Sequence, residues 1–352
     1  MDQAIKTTDE NGVEYLAYGG DFGENPHDGH FCGNGLLFAD RKPTPKLYEI
    51  KKLYQNVGVK AIDAEKGVVG IRDKLMFTDL NTYLLGWRQC SDKGVLREGE
   101  LNVDCPPESK VTVDLELNRI TTTECYIELE FVTKEDTAWC PAGHIVAEEQ
   151  FIINEFENTY DELETGEELV VADTYGSLRI LTQDINIRFE RRERNQLYSI
   201  KIGDEELLAA PVRLNFWRAL TDNDRGSRAG SRLGCWRDAG NTPGIYNNTK
   251  FSIEGYKILE NGRKVVVTCG AVICTQPESK ATIIYTITSN GIEVDMQFRP
   301  DETLPEVPEI SMLFELPGDF ENVTYLGAGP FENYIDRNNA AKIGVYNTTV
   351  ED

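Results

Sequence analysis

The sequence predicts a mainly β chain with one short helix near its N-terminus, organised as two β regions on either side of an acidic connection. Three observations carry that prediction. Ile127, Leu129 and Phe131 alternate with Glu128 and Glu130, the period of two expected of a strand with one buried face. Ile292, Val294, Met296 and Phe298 alternate with Glu293, Asp295 and Gln297 after Ser289-Asn290-Gly291, a hairpin signal because Asn-Gly tolerates positive φ. By contrast Leu47, Ile50, Leu53 and Tyr54 follow a period near 3.6, which places one apolar stripe on a helix.

Taken in order, residues 1–56 read as loop followed by that helix. The stretch Tyr18–Arg41 packs six glycines, four acids, two histidines and three phenylalanines into twenty-four residues. Such a mixture belongs where the backbone turns sharply and presents polar groups. The helix after Pro43 and Pro45 is too short to stand alone and needs a partner layer. Residues 57–155 carry short strands near Val68–Arg72, Tyr83–Cys90, Lys110–Leu115 and His144–Ile152, the spacing of a β-sandwich. Residues 156–176 are acidic and poorly periodic and read as a solvated linker. Residues 177–352 form a second β region, interrupted by a polar, Gly- and Arg-rich insertion over 218–248. Loops of that length are usually functional or disordered.

The formal charge of −24 makes nucleic acid and anionic membrane surfaces poor partners. No run approaches the length of a membrane span, and no signal peptide is recognisable. Eight cysteines without a C-x-x-C pair, and three histidines, leave little for a zinc site. Reduced, buried thiols are the expectation, and with them a cytoplasmic location.

Asp21, Glu24 and Asp28 could include a carboxylate pair for glycosyl transfer or oxygen ligands for a hard cation, or they could cap turns between glycines. Tyr18, Phe22, Phe31 and Phe38 could line a sugar platform or plug the loop. Asp222-Asn-Asp-Arg-Gly226 lacks the spacing and distal Glu of a calcium loop, so a turn stapled by Asp–Arg hydrogen bonds is expected. Leu326-Gly-Ala-Gly329 fails as a dinucleotide fingerprint because Glu332 stands at the third glycine position.

Three clusters together resemble the LacZ-type β-galactosidases of glycoside hydrolase family two. They are YGGDFG…DGHFCGNGLLFADRKPTP from Tyr18, Phe216-Trp-Arg218 with Thr221–Gly226, and Gly329-Pro-Phe-Glu-Asn-Tyr334 with Asp336-Arg337. Thr137-Ala-Trp139 with Ala142-Gly-His144 is similar to the family's fourth domain. The resemblance implies the C-terminal end of a (β/α)₈ barrel over 1–56, an immunoglobulin-like sandwich over 57–155, and the first part of a large, galactose-mutarotase-like sandwich over 177–352.

It also implies hydrolysis of terminal β-D-galactosides by a two-Glu retaining mechanism. Both glutamates belong to segments preceding the Tyr18 loop and match nothing in residues 1–17, so the chain is expected to be an inactive piece of a longer polypeptide, cut at both ends. A sodium ion is expected to take the Phe31 carbonyl and the Asn34 side chain, with Asn34 also near the sugar's 6-hydroxyl and the remaining protein ligand elsewhere. Magnesium, present in the full-length family, has no ligand here, because His27 stands where Asn is usual. Gly226 matches the hinge of a mobile loop. The implied partners are a galactoside substrate, the rest of the chain or a complementing subunit, and further copies in a homo-oligomer. The competing expectation is a non-catalytic carbohydrate-binding or subunit-assembly module.

Overall fold

A computed structural model describes residues 2–91, 93–118, 125–154, 166–191, 196–239 and 249–351. They belong to two units, one of residues 1–157 with 322–352 and one of residues 158–321.

The first unit opens with a hairpin that sequence patterning does not predict, β1 (Ile5–Thr8) against β2 (Glu14–Ala17). Its turn is built locally: the Asn11 and Val13 amides both donate to Asp9 Oδ1 at 2.8 Å. After the Tyr18–Arg41 loop comes α1 (Pro45–Tyr54), with Pro45 in its first turn and Lys51 and Lys52 in its last, as the helix dipole favours. The expected apolar stripe does not face a core. Leu53 and Tyr54 are exposed, and the buried residue of α1 is Glu49.

The period of two begins at Val57, as expected. β3 (Val57–Asp63), β4 (Val68–Asp73) and β7 (Lys110–Asp114) make one antiparallel sheet. β5 (Tyr83–Ser91), β6 (Gly94–Asn102), β8 (Cys125–Thr133) and β9 (Ile145–Asn154) make the other, in the order β6-β5-β8-β9. The register opposes Leu85 to Phe131 and Trp87 to Leu129, and these side chains share one core with Val59, Val69 and Ile71 of the first sheet. Glu128 and Glu130, on the opposite side of β8, hold Arg88 between them at 3.0 and 3.1 Å.

The linker expected over 156–176 lies outside the described residues as far as 165. Beyond it the chain is not linker: Leu169 is buried and Val170–Asp173 is strand β10, because apolar and β-branched residues outweigh the flanking acids there. β10 begins a five-stranded sheet with β11 (Ser177–Leu181), β12 (Ile185–Glu190), β13 (Leu197–Ile202) and β14 (Glu205–Glu206). β15 (Arg213–Asn215) then leads into the polar insertion.

That insertion is largely helical: α2 (Asp222–Gly226), α3 (Ala229–Arg232) and α4 (Gly234–Ala239), with residues 240–248 outside the described set. Its polar composition hides Ala229, Leu233, Trp236 and Ala239, whose buried side chains join the core of the second unit. The Trp236 indole donates to the Pro305 carbonyl at 3.0 Å, satisfying its one polar atom.

β16 (Lys250–Leu259), β17 (Lys264–Ile273), β18 (Ser279–Thr288) and β19 (Gly291–Arg299) follow as an antiparallel meander, and β20 (Ser311–Leu313) pairs with β15. The predicted hairpin is present, with Ile292, Val294, Met296 and Phe298 packed on the core. Its turn residues are Ser289 and Asn290, with Gly291 already paired to Thr288, so Asn-Gly is not at the turn centre. Positive φ falls instead at Glu260, Asn261 and Gly262 between β16 and β17. Phe189 and Tyr285 meet edge to face at 5.1 Å, joining the five-stranded sheet to the meander.

Finally β21 (Asn322–Gly329) and β22 (Lys342–Thr349) form a hairpin that belongs to the first unit, whereas sequence patterning groups it with 177–321. Polar contacts hold it there. Gln150 exchanges two hydrogen bonds with the Ile343 backbone at 2.7 and 2.8 Å, and Lys342 pairs with Glu148 at 2.5 Å. Among the described residues no helix is long and apolar enough to cross a membrane.

Candidate functional site

The Tyr18–Arg41 loop is shaped by its own acids. The Tyr18 amide donates to Asp21 Oδ2 at 2.9 Å, and the Gly20 and Phe22 amides donate to the two oxygens of Glu24 at 2.6 and 3.1 Å. The Gly20 amide, followed by other backbone amides of the loop, holds the Glu24 carboxyl below its usual range. Of the two readings left open for Asp21 and Glu24, the structure supports turn capping. Asp28 contributes through its backbone carbonyl, which accepts from the Phe31 amide at 3.2 Å.

His27 is part of the same scaffold. Its Nδ1 accepts from the Gly29 amide at 3.2 Å. Gly20 has φ +99°, and a Cβ there would stand 2.7 Å from His27 Cε1, so glycine is required by backbone and space together. Residues 2 and 3 close the loop from the other side: the Asp2 and Gln3 amides donate to the Leu37 and Cys32 carbonyls, and the Gly35 amide donates to Asp2 Oδ1 at 2.6 Å.

While Asp21 and Glu24 bond the loop's own amides, the loop leaves its aromatic residues exposed. Phe31 is 82% exposed, and Tyr18, Phe22 and Phe38 are also exposed rather than plugging the loop. Asn34 is exposed three residues after Phe31, and its Nδ2 points to the Cys32 carbonyl at 3.5 Å. No cluster of three or more His, Cys, Asp or Glu able to hold a metal occurs among the described residues.

The first and third sequence clusters meet at α1. Thr44, at its N-terminus, donates through Oγ1 to the Leu36 carbonyl at 3.1 Å, tying helix to loop. One turn later Tyr48 stacks on Phe331 with centroids 4.9 Å apart. Glu49, 7% exposed, accepts from Asn339 Nδ2, the Asn339 amide and the Ala340 amide at 2.5, 3.3 and 2.9 Å. Burial pushes the Glu49 carboxyl up, but these donors outweigh it and leave the group below its ordinary value. Sequence patterning does not find this role; a lone acid on the inner side of a short helix is the only signal it offers.

The second cluster lies in the other unit. Arg218 grips Asp224 with both terminal nitrogens at 2.7 and 3.2 Å, and Thr221 forms a capping box with Asp224 at the start of α2. The Thr221 amide, then the Arg218 fork, lower the Asp224 carboxyl to about 2. The expected Asp–Arg staple is therefore present. Gly226 ends α2 without positive φ, and no atom outside its chain neighbours and its own helix lies within 4 Å of where a Cβ would stand. Neither space nor backbone in this conformation demands glycine there. None of the eight cysteines is in a disulfide, and burial raises Cys90 to about 11 and Cys269 to about 12.

Three family descriptions match consecutive stretches of the chain. Residues 1–59 match the TIM barrel domain of glycosyl hydrolases family 2. Residues 69–154 match β-galactosidase domain 4, and residues 182–352 match the β-galactosidase small chain. The start of the chain is thus the end of a barrel, and the remainder is β-sandwich. Curated relatives include proteins called β-galactosidase from Priestia megaterium (35% identical, all of this chain, 34% of the relative) and Streptococcus thermophilus (33%, all of this chain, 33% of the relative). A third, from Clostridium acetobutylicum, is 32% identical over 99% of this chain and 38% of its own length. The chain therefore spans about a third of the length of the curated relatives it matches. Three family regions in the same order along the chain, the first and last of them carrying the three sequence clusters, place the chain among the LacZ-type β-galactosidases of glycoside hydrolase family two.

Proposed function

We propose that these 352 residues serve as part of a β-galactosidase acting on terminal β-D-galactosides of the lactose type. In a retaining mechanism one Glu protonates the leaving oxygen while the other forms a glycosyl-enzyme intermediate. Both glutamates are proposed to come from segments outside these residues. One observation carries this reading: Asp21 and Glu24 spend their carboxylates on the loop's own amides, while the aromatic rings and Asn34 face outward. The loop is built as a wall of a sugar pocket, with Asn34 toward the sugar's 6-hydroxyl.

Sodium suits the donors in kind, since the Phe31 carbonyl and Asn34 side chain are hard oxygens. They are two oxygens on an exposed turn and need partners from elsewhere, so they are proposed as a partial site. Magnesium finds no ligand at His27, whose Nδ1 receives the Gly29 amide. Gly226 is proposed as a hinge: its glycine is superfluous in this conformation, which supports a second one that needs it. Buried thiols outside any disulfide support a cytoplasmic setting, and assembly into a homo-oligomer is proposed with it. We take the family boundaries as 1–56, 57–155 and 177–352.

The test is turnover of a nitrophenyl galactoside. The 352-residue chain alone is expected to show none, and activity is expected when it replaces the matching third of the Priestia megaterium relative. Turnover by the chain alone would overturn the placement of the two glutamates. Galactose binding by the isolated chain, read by calorimetry, would favour the non-catalytic module that the exposed aromatic residues also permit.

A further inference from the structure

The outer face of the β3–β4–β7 sheet, within the first unit, carries a groove of about 590 Å³. That volume falls in the range of small-molecule sites. Five cations and one carboxylate line it (Lys52, Lys60, Arg72, Lys74, Lys110 and Glu149), in a chain whose formal charge is −24. The register explains the concentration. Gly58, Arg72 and Lys110 form one row across the three strands, and Lys60, Gly70 and Thr112 form the next. Glycine at 58 and 70 hollows the face, letting Lys74 and Ile62 lie across it: their side chains are 3.1 and 3.2 Å from where a Cβ would be.

Arg72 and Lys110 stand directly opposite each other, a like-charge cross-strand pair that destabilises a sheet unless an anion answers it. The protein supplies little. Lys52 is taken by Glu149 at 2.7 Å, while among the described residues Lys74 donates to the neutral Gln55 carbonyl at 3.2 Å. Asp63 and Asp114, on the same sheet, are held by Lys66 at 2.6 Å and by the Glu116 amide at 2.9 Å. Among the described residues Lys60, Arg72 and Lys110 form no ion pair.

We propose that this groove binds a small phosphate-bearing anion, with the phosphate between Arg72 and Lys110. A phosphate near dianionic charge neutralises both neighbours at once, which a single carboxylate does not. The guanidinium fork matches two phosphate oxygens, and the lysines act as point charges around it. The Thr112 hydroxyl, Leu53 and Ile62 offer polar and apolar surface to the body of a phosphomonoester.

The test titrates the 352-residue chain with inorganic phosphate, glucose 6-phosphate and acetate at constant ionic strength, by calorimetry and thermal melting. Saturable binding of a phosphate compound with no response to acetate is expected; tighter binding of glucose 6-phosphate assigns an ester, and equal binding assigns free phosphate. The double variant R72Q/K110Q is expected to melt no lower than the parent without ligand, since it removes a repulsion. It is also expected to weaken phosphate binding by at least about tenfold. K6Q, at a cation on β1, is expected to bind as the parent does. Equal responses to acetate and phosphate, absence of saturation, or unchanged affinity in a folded R72Q/K110Q variant would each overturn the proposal.

Discussion

Glu49 shows how much one side chain can decide. It is the buried residue of α1, and through three donors from Asn339 and Ala340 it holds the connection that joins the two strands of the last hairpin. Glu49→Gln turns an amide NH₂ toward at least one of those donors, so a loss of about 1–3 kcal/mol is expected, read by urea unfolding at neutral pH. The sign of the pH dependence follows from the lowered carboxyl. Its stabilisation is present above the unfolded-state value of about 4.3 and is lost as pH falls through the lower folded-state value. Parent and variant stabilities should therefore converge on acidification, and a difference that persists at low pH would contradict the role. The sequence points elsewhere, to Leu47, Ile50, Leu53 and Tyr54, because periodicity scores apolar residues and cannot see a carboxylate that finds its donors across the fold.

At the scale of elements, the insertion after β15 is the largest departure from what the sequence suggests. Arg, Gly and Ser suggest an open loop, yet three short helices carry Leu233 and Trp236 into the core. Apolar residues spaced by helices this short offer too few turns for a period to register. The Asp224 staple is legible because it is local: donor and acceptor lie within seven residues. Gly226 tests the proposed hinge. Gly226→Ala at the end of α2 is expected to leave stability unchanged or raise it by about 0.4–1 kcal/mol. In the complete enzyme, kcat and KM should shift together. A stabilised variant with parental kinetics would remove the hinge assignment.

For the molecule as a whole, the two units have separate cores, one around Phe131 and Leu129 and the other around Phe189 and Trp236. Calorimetry is expected to resolve more than one unfolding transition. Phe131→Ala should lower the transition of the first unit by about 3–5 kcal/mol and Phe189→Ala that of the second, each leaving the other in place. A single transition moved equally by both substitutions would show one cooperative body instead.

What the sequence determined by itself was whatever is written within a few residues: the strands of period two, the hairpin of β18 and β19, the Asp224–Arg218 staple and the clusters that identify the family. These survive because alternation and capping are local physical constraints. Tertiary structure alone decided that Glu49 is spent as the acceptor for the Asn339 and Ala340 amides, that residues 322–351 belong with α1, and that Arg72 and Lys110 stand side by side on one sheet. Each of those depends on contacts between residues far apart in the chain, where burial and register, rather than neighbouring residue types, set the energy.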